Sequence, residues 1–336
     1  MRGTRGPGSR PRVVVGAVAA LILGAVTPVR AQLTTGVGSQ APGTTRSDMN
    51  FFDVVWDSLS GDVYAPGRWK PLPLSTFFTE GWDEPWAGGP NGQNGDGAPR
   101  QGWLNAQDGV FYRLGILTFG YAHDTGNGDN WTSALSIYTP FNRRFEVRWD
   151  IPLILSNRGS IPGNDYHVSS PDLQIAPRFA LSETENSAQS LDVTFRMPTS
   201  DVINNQGEAA VTPYYNFWVN PWAGFVARGG AGFGIPFGNQ SVNVLNARST
   251  FLGNLALGYY FTPHDMIPFG DTVWYVSTNL TQAIDHRGPN TTTLSLTPGF
   301  RIHMGGNWYG LGGVEVPVTQ PEPFDYQVLG GLMKVW

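Results

Sequence analysis

The stretch Arg143-Arg144-Phe145-Glu146-Val147-Arg148-Trp149-Asp150-Ile151 alternates without a break. Side chains on a strand point to opposite faces with a period of two. Phe145, Val147, Trp149 and Ile151 therefore share one face, and Arg144, Glu146, Arg148 and Asp150 share the other. A single strand of this kind fits any half-buried sheet. Cost decides its register if the sheet lies in a membrane: an Arg on the lipid face near the midplane costs roughly 2 to 4 kcal/mol, and an acid somewhat less. A one-residue slip, which would turn all these charges outward, is therefore excluded.

The pattern recurs along the chain. Leu173, Ile175, Pro177, Phe179 and Leu181 alternate with Asp172, Gln174, Ala176 and Arg178, and Leu191, Val193, Phe195 and Met197 with Asp192, Thr194 and Arg196. Val211 to Val219, Phe225 to Phe237, Phe251 to Phe261, Trp274 to Thr281, Leu294 to His303, Trp308 to Val318 and Tyr326 to Trp336 continue it, and Phe111 to Tyr121 and Trp131 to Tyr138 add two less regular segments. About twelve segments of roughly 9 to 11 residues match tilted membrane-crossing strands, and single-chain bacterial barrels use an even number. The fold predicted is all-β, a transmembrane antiparallel up-and-down β-barrel of about 12 strands.

Connection lengths agree. If the chain enters from the periplasm, the turns near Pro140, Glu183, Pro221, Pro263 to Phe269 and Gly305 are inner and mostly short, whereas those near Gly126, Ser156 to Ser170, Thr199 to Glu208, Gly238 to Arg248, Asp285 to Asn290 and Gln320 are outer and mostly longer. The same assignment puts Phe111, Tyr138, Phe179, Phe217, Trp222, Phe261, Trp274, Trp308 and Trp336 at the periplasmic ends as an aromatic girdle.

Composition narrows the class. Arg2, Arg5, Arg10 and Arg12 precede an apolar run from Val13 to about Val26 and then Val29-Arg30-Ala31, the order of a secretory signal peptide over residues 1–31. The run is shorter than the roughly 20 residues that span a bilayer as a helix. With 336 residues in all, 305 remain after cleavage. There is no Cys, which excludes a lipid anchor on cysteine and a disulfide framework. Charged residues are 14% and aromatics 13%, with 43 Gly and 26 Pro, a balance that suits many short strands and argues against disorder. The net charge of -5 shows no basic stripe, so no nucleic-acid partner is expected. Residues 32–109 are rich in Gly, Pro, Asn and Trp with little periodicity and read as a separate N-terminal region, either a plug or a periplasmic segment. The barrel is expected over 110–336.

The stretches Pro171 to Leu181 and Leu191 to Asp201, with Val314-Glu315-Val316-Pro317-Val318 and Pro323 to Leu332, resemble the outer-membrane β-barrel transporters named after the meta-pathway of phenol degradation. The resemblance covers roughly Asp172 to Trp336. It implies passive or facilitated transport of small, aromatic or hydrophobic organic solutes across the outer membrane of a Gram-negative bacterium. The end on Trp336 is similar to the terminal-aromatic strand read by the barrel-assembly machinery, which makes that machinery and outer-membrane lipid the expected partners beside the solute.

The candidate pore-lining residues are Arg144, Glu146, Arg148, Asp150, Asp172, Arg178, Asp192, Arg196, Tyr214, Trp218, Arg228, Tyr275, Arg301 and Glu315, with Tyr260 narrowing the lumen further. Six Arg face five acids, so the inward charge is nearly balanced; the arrangement reads either as a salt-bridged lumen that stiffens the barrel or as a ladder for solute. His167-Val168-Ser169 has the spacing of the catalytic His and Ser of outer-membrane phospholipase, but no orienting partner is identifiable, and no catalytic residue is assigned. Asp124 to Asp129 lacks the terminal Glu of a calcium loop, and no other metal or cofactor motif is present. The leading reading is a channel; a closed structural or surface-interaction barrel is the alternative and a lipase-like enzyme the third. The mature protein is expected to begin at Gln32, and the mass of the exported protein checks it: an intact Met1 contradicts export by cleavage.

Overall fold

From Leu114 onward the strands pair in chain order, apart from one short strand, and the last returns to pair with the first. The computed structural model describes residues 49–90, 98–125, 128–158, 166–169, 171–199, 209–237, 247–286 and 292–336; the expected signal peptide lies outside them. The strands are β1 (Leu114–His123), β2 (Asn130–Pro140), β3 (Phe145–Arg158), β4 (Tyr166–Ser169), β5 (Gln174–Glu183), β6 (Ser187–Arg196), β7 (Ala209–Trp222), β8 (Phe225–Phe237), β9 (Ala247–Tyr260), β10 (Gly270–His286), β11 (Thr292–Gly305), β12 (Trp308–Pro317) and β13 (Tyr326–Val335).

Thirteen segments fill twelve places, because β4 and β5 share one edge of β3. β4 pairs with Leu155 to Arg158 and β5 with Phe145 to Asp150. Closure comes from β1 with β13, registered from Leu114 opposite Val335 to His123 opposite Tyr326. The result is a closed twelve-stranded antiparallel barrel, which leaves no sheet edge to be solvated by lipid.

The alternation sorts the two faces. In β10, Val273, Tyr275 and Ser277 are buried while Trp274 and Val276 are exposed; in β9, Ala256 and Tyr260 are buried while Leu257 and Tyr259 are exposed. The outward faces carry large apolar side chains, and the inward faces carry the charges.

Before the barrel comes α1 (Phe51–Ser60). Its start is fixed by a capping box: the Asn50 side chain accepts from the Asp53 backbone N–H at 3.1 Å, and the Asp53 carboxylate accepts from the Asn50 N–H at 3.3 Å. It buries Val54 and Ser58 and leaves Phe51, Phe52 and Trp56 exposed. Ser58 Oγ donates to the carbonyl of Phe141 in the β2–β3 turn at 3.0 Å. Farther along, Leu72 and Glu183 exchange both backbone hydrogen bonds at 2.8 Å, tying the N-terminal stretch to the inner end of β5. Residues 49–336 form one compact unit.

Three sequence expectations are corrected. Phe217, set in the exposed girdle, is only 8% exposed. The first strand, expected from Phe111, begins at Leu114, and Phe111 is 7% exposed, packed with Val63, Trp86 and Ala180. Tyr138 also leaves the girdle: it packs inward, edge-on to Tyr112 with centroids 5.7 Å apart. Phe111 and Tyr138 sat in the two least regular segments, where parity is hardest to read. Trp222, Phe261, Trp274, Trp308 and Trp336 are exposed at the inner end. Placing a charge on the outward face tests the facing: Val276→Arg is expected to destabilise the barrel by roughly 2 to 4 kcal/mol, read by denaturant titration of folding into lipid vesicles, whereas Val276→Leu changes little.

Candidate functional site

Residues Ala98 to Arg113 have no ladder of their own, yet they are the best-bonded part of the interior. This lumen segment runs in from the inner mouth, turns where Trp103 bridges Ala106, and returns to the start of β1. Inward side chains around the wall bind it. Arg228, fully buried on β8, meets Asp108 Oδ2 at 2.7 Å and donates to the carbonyls of Gln101 at 2.9 Å and Arg100 at 3.0 Å, and to Tyr112 OH at 2.9 Å. Arg178 on β5 pairs with Asp192 at 2.9 Å and with Glu146, and also donates to the carbonyls of Asp108 and Val110. Glu146 in turn accepts the backbone N–H of Tyr112.

At the tip of the turn, Asn105 donates to Glu315 Oε2 at 2.6 Å and to Thr297 at 3.3 Å, while Asn254 and Ser277 donate to its carbonyl. Trp103 stacks on Tyr275 at 4.7 Å and 10°, and its Nε1 donates to Tyr260 OH at 3.1 Å. Gly258 makes that stack possible, since a Cβ there would lie 2.6 Å from the Trp103 ring. Arg301 donates to Gln101 and lies over the rings of Tyr260 and Tyr309 at 5.3 and 5.0 Å.

The segment does not fill the lumen. Between its tip and the inward faces of β1, β2, β12 and β13 lies a cavity of about 310 Å³ lined by Trp103, Leu104, Asn105, Ile116, Thr118, Thr132, Ser136, Tyr138, Leu311, Gln327 and Leu329. None of these side chains is charged.

No family model matches the chain, and no curated protein matches it. Among solved structures, an outer membrane channel from Pseudomonas putida F1 aligns over 70% of this chain and 100% of its own at 10% identity, with a TM-score of 0.52. The fold is that of an outer-membrane β-barrel. The NanC porin aligns over 66% of this chain and 99% of its own at 9% identity and a TM-score of 0.45, a likeness too low to add to it.

Within this barrel the expected pore-lining residues divide. Glu146, Arg178, Asp192, Arg228, Tyr275, Arg301 and Glu315 converge on the lumen segment or on its immediate partners. Trp218 lies under the Arg100 guanidinium at 5.0 Å, and Tyr214 OH donates to the carbonyl of Gly230. Arg148 and Asp150 pair at 2.8 Å beside them. Asp172 and Arg196 pair at 2.8 Å at the outer ends of β5 and β6, away from the segment. Arg144 lines no passage: from the β2–β3 turn it donates to the carbonyls of Pro73, Glu80, Ala180 and Leu181 and holds the N-terminal stretch at the inner mouth. His167 and Ser169 lie on β4, with their side chains outside the described residues. Both carboxylate oxygens of Asp129 are engaged, by Tyr121 OH and by His123 Nδ1.

Sequence reasoning missed Arg100, Trp103, Asn105, Asp108 and Tyr112. Their only signal was an Arg, a Trp and an Asp in a Gly-rich stretch of a chain otherwise poor in charge. Removing the Arg228 charge leaves the buried Asp108 without its nearest cation, with Arg178 4.0 Å away, a loss of about 3 to 5 kcal/mol. Arg228→Ala is thus expected to open residues 98–113 to protease in a barrel that still shifts in mobility on heating; unchanged protection contradicts the assignment.

The inner mouth has its own pair. Arg143 reaches Glu84 at 2.9 Å, and Lys70 bonds the same carboxylate at 3.0 Å. Partial burial pushes the Glu84 carboxyl up, but these hydrogen bonds outweigh it and hold it below its ordinary 4.5. A depressed pKa contributes stability above the ordinary value and loses it as pH falls through the lowered one. Glu84→Gln should therefore speed amide exchange of residues 68–86 at pH 7, with the two proteins converging only well below pH 4.5.

Proposed function

We propose that this barrel is an outer-membrane channel for small, uncharged organic solutes, aromatic ones included, and that the lumen segment narrows it to the uncharged cavity beside the segment. The observation that carries the reading is the lining of that cavity: apolar Trp103, Leu104, Ile116 and Leu329 oppose Asn105, Thr118, Ser136 and Gln327, with no charge among them. Apolar walls with a few polar groups bind neutral amphipathic molecules, and aromatic walls add ring contact. The inward charges are spent on one another and on the segment, so little net field remains to select ions.

The sequence resemblance to transporters named after the meta-pathway of phenol degradation supports the same solute class. Outer-membrane lipid is the partner proposed for Trp222, Phe261, Trp274, Trp308 and Trp336, and the barrel-assembly machinery for β13. Export through a cleaved signal peptide would deliver the chain there.

The test loosens the segment without orphaning a buried charge, by replacing Asp108 with Asn and Arg228 with Met together. In planar bilayers the variant is expected to conduct several-fold better than the wild type, with a reversal potential near zero under a salt gradient. Absence of conductance in both would favour a closed structural barrel, and a strong ion preference would place unpaired charge in the passage.

A further inference from the structure

The inner turn between β9 and β10 carries a cluster that neither closes the barrel nor holds the lumen segment. His264 lies in the turn, Asp271 follows at the start of β10, and His303 lies near the inner end of β11. One ligand atom from each lies within 4.8 Å of the others. Asp271 is 4% exposed and His303 3%, while the His264 side chain is 31% exposed and opens the cluster to the inner side.

Three features of the backbone bring these groups together. Pairing of β10 with β11 shifts between Gly270 and Val273, so that three residue steps on β10 oppose two on β11. Such a bulge re-aims the side chains it carries. Asp271 takes a left-handed φ of 46°, a conformation costly for most residues and tolerated by Asp. Gly270 allows the close approach, because a Cβ there would lie 2.3 Å from the His264 carbonyl oxygen and 3.2 Å from His303 Nδ1. Local strain of this kind persists where the surroundings hold it in place.

The hydrogen bonds set the ring nitrogens. His303 Nδ1 donates to the carbonyl of His264 at 3.1 Å, which leaves Nε2 with the lone pair, and that buried Nε2 has no hydrogen-bond partner among the described residues. Metal-binding histidines characteristically donate their other N–H to a backbone carbonyl in this way. His264 Nδ1 donates to Asp271 Oδ2 at 2.7 Å.

We propose that His264, Asp271 and His303 bind one divalent transition cation of the zinc class at the inner mouth. The ion takes the place of the Nδ1 proton between His264 and Asp271, the neutral imidazole carrying its proton on Nε2 instead, and the unpartnered Nε2 of His303 supplies the third ligand. Two imidazoles and a carboxylate suit zinc, with a fourth position left to water. Bonds of about 2.0 to 2.2 Å place zinc ligands roughly 3.3 Å apart, so the cluster draws in on binding. His264, stacked on His303 at 4.3 Å but open on its other side, is the group free to turn. The bound ion would clamp the β9–β10 turn to β11 two residues from Arg301, which holds Gln101 of the lumen segment.

The full-length barrel, refolded in detergent and freed of metal by chelation, is titrated with zinc chloride by calorimetry and with cobalt(II) chloride by visible absorption. One ion per chain is expected, with a cobalt spectrum of low coordination number. His264→Gln and His303→Gln should each weaken binding about 100-fold and Asp271→Asn about 10-fold, while His123→Gln at the opposite end changes nothing. Heat-shifted gel mobility confirms that each variant is folded, and His264→Gln, on the open turn, keeps the test decisive if a buried variant does not fold. Absence of saturable binding, or binding that persists in His264→Gln, overturns the proposal.

Discussion

An unpaired backbone N–H or C=O in hydrocarbon costs several kcal/mol, and the rest of this structure follows from avoiding that cost. A sheet in lipid must close, and here it closes through β1 and β13. Closure fixes which side of every strand meets lipid. The outward side must be apolar across the lipid, so the charges of Arg178, Glu146, Asp192, Arg228 and Arg301 are driven inward, where each needs a partner. Arg178, Glu146 and Asp192 satisfy one another. Among the described residues Arg228 and Arg301 have no strand carboxylate in such contact, and what they find is the chain that precedes the barrel.

That chain gains as much as the arginines do. Ala98 to Arg113 makes almost no backbone ladder, so its carbonyls would be orphans in a closed interior. The wall supplies donors in place of a neighbouring strand: the carbonyls of Arg100, Gln101, Asn105, Asp108 and Val110 accept from Arg228, Arg301, Ser277, Asn254 and Arg178. Irregular backbone at membrane depth is tolerated only inside protein. Long inward side chains and an irregular lumen segment are therefore two halves of one solution, and the space left over takes its neutral lining from the sectors where the wall carries Thr, Ser, Gln and Leu.

The barrel was legible because membrane facing imposes a strict period of two, which a run such as Arg143 to Ile151 records residue by residue. The facing of Arg178, Arg228, Tyr275 and Arg301 followed from the same parity. What could not be read was what those side chains touch. The lumen segment has no period because its side chains meet a curved wall on all sides, so neither Trp103 nor Asp108 stands out locally. Phe111 and Tyr138 were misplaced for a related reason: an aromatic near a strand end reads alike whether it meets lipid or the packed interior. The His264, Asp271 and His303 cluster escaped a motif search because a bulge and a strand pairing, not sequence spacing, bring it together.

The lumen segment also bears on the order in which the protein can assemble. Asn105 and Glu315 are separated by 210 positions in the chain, and Gln101 and Arg301 by 200. The segment leads directly into β1, the strand that closes the barrel against β13, whereas its partners lie on strands made long afterwards. Contacts so distant in sequence demand loop closure before they contribute stability, which slows folding. Docking of Ala98 to Arg113 and pairing of β1 with β13 are therefore contacts of the same long-range kind, both available only once the late strands are made. The interior chain thus ties the start of the wall to its last strands through the lumen, as the seam does within the sheet.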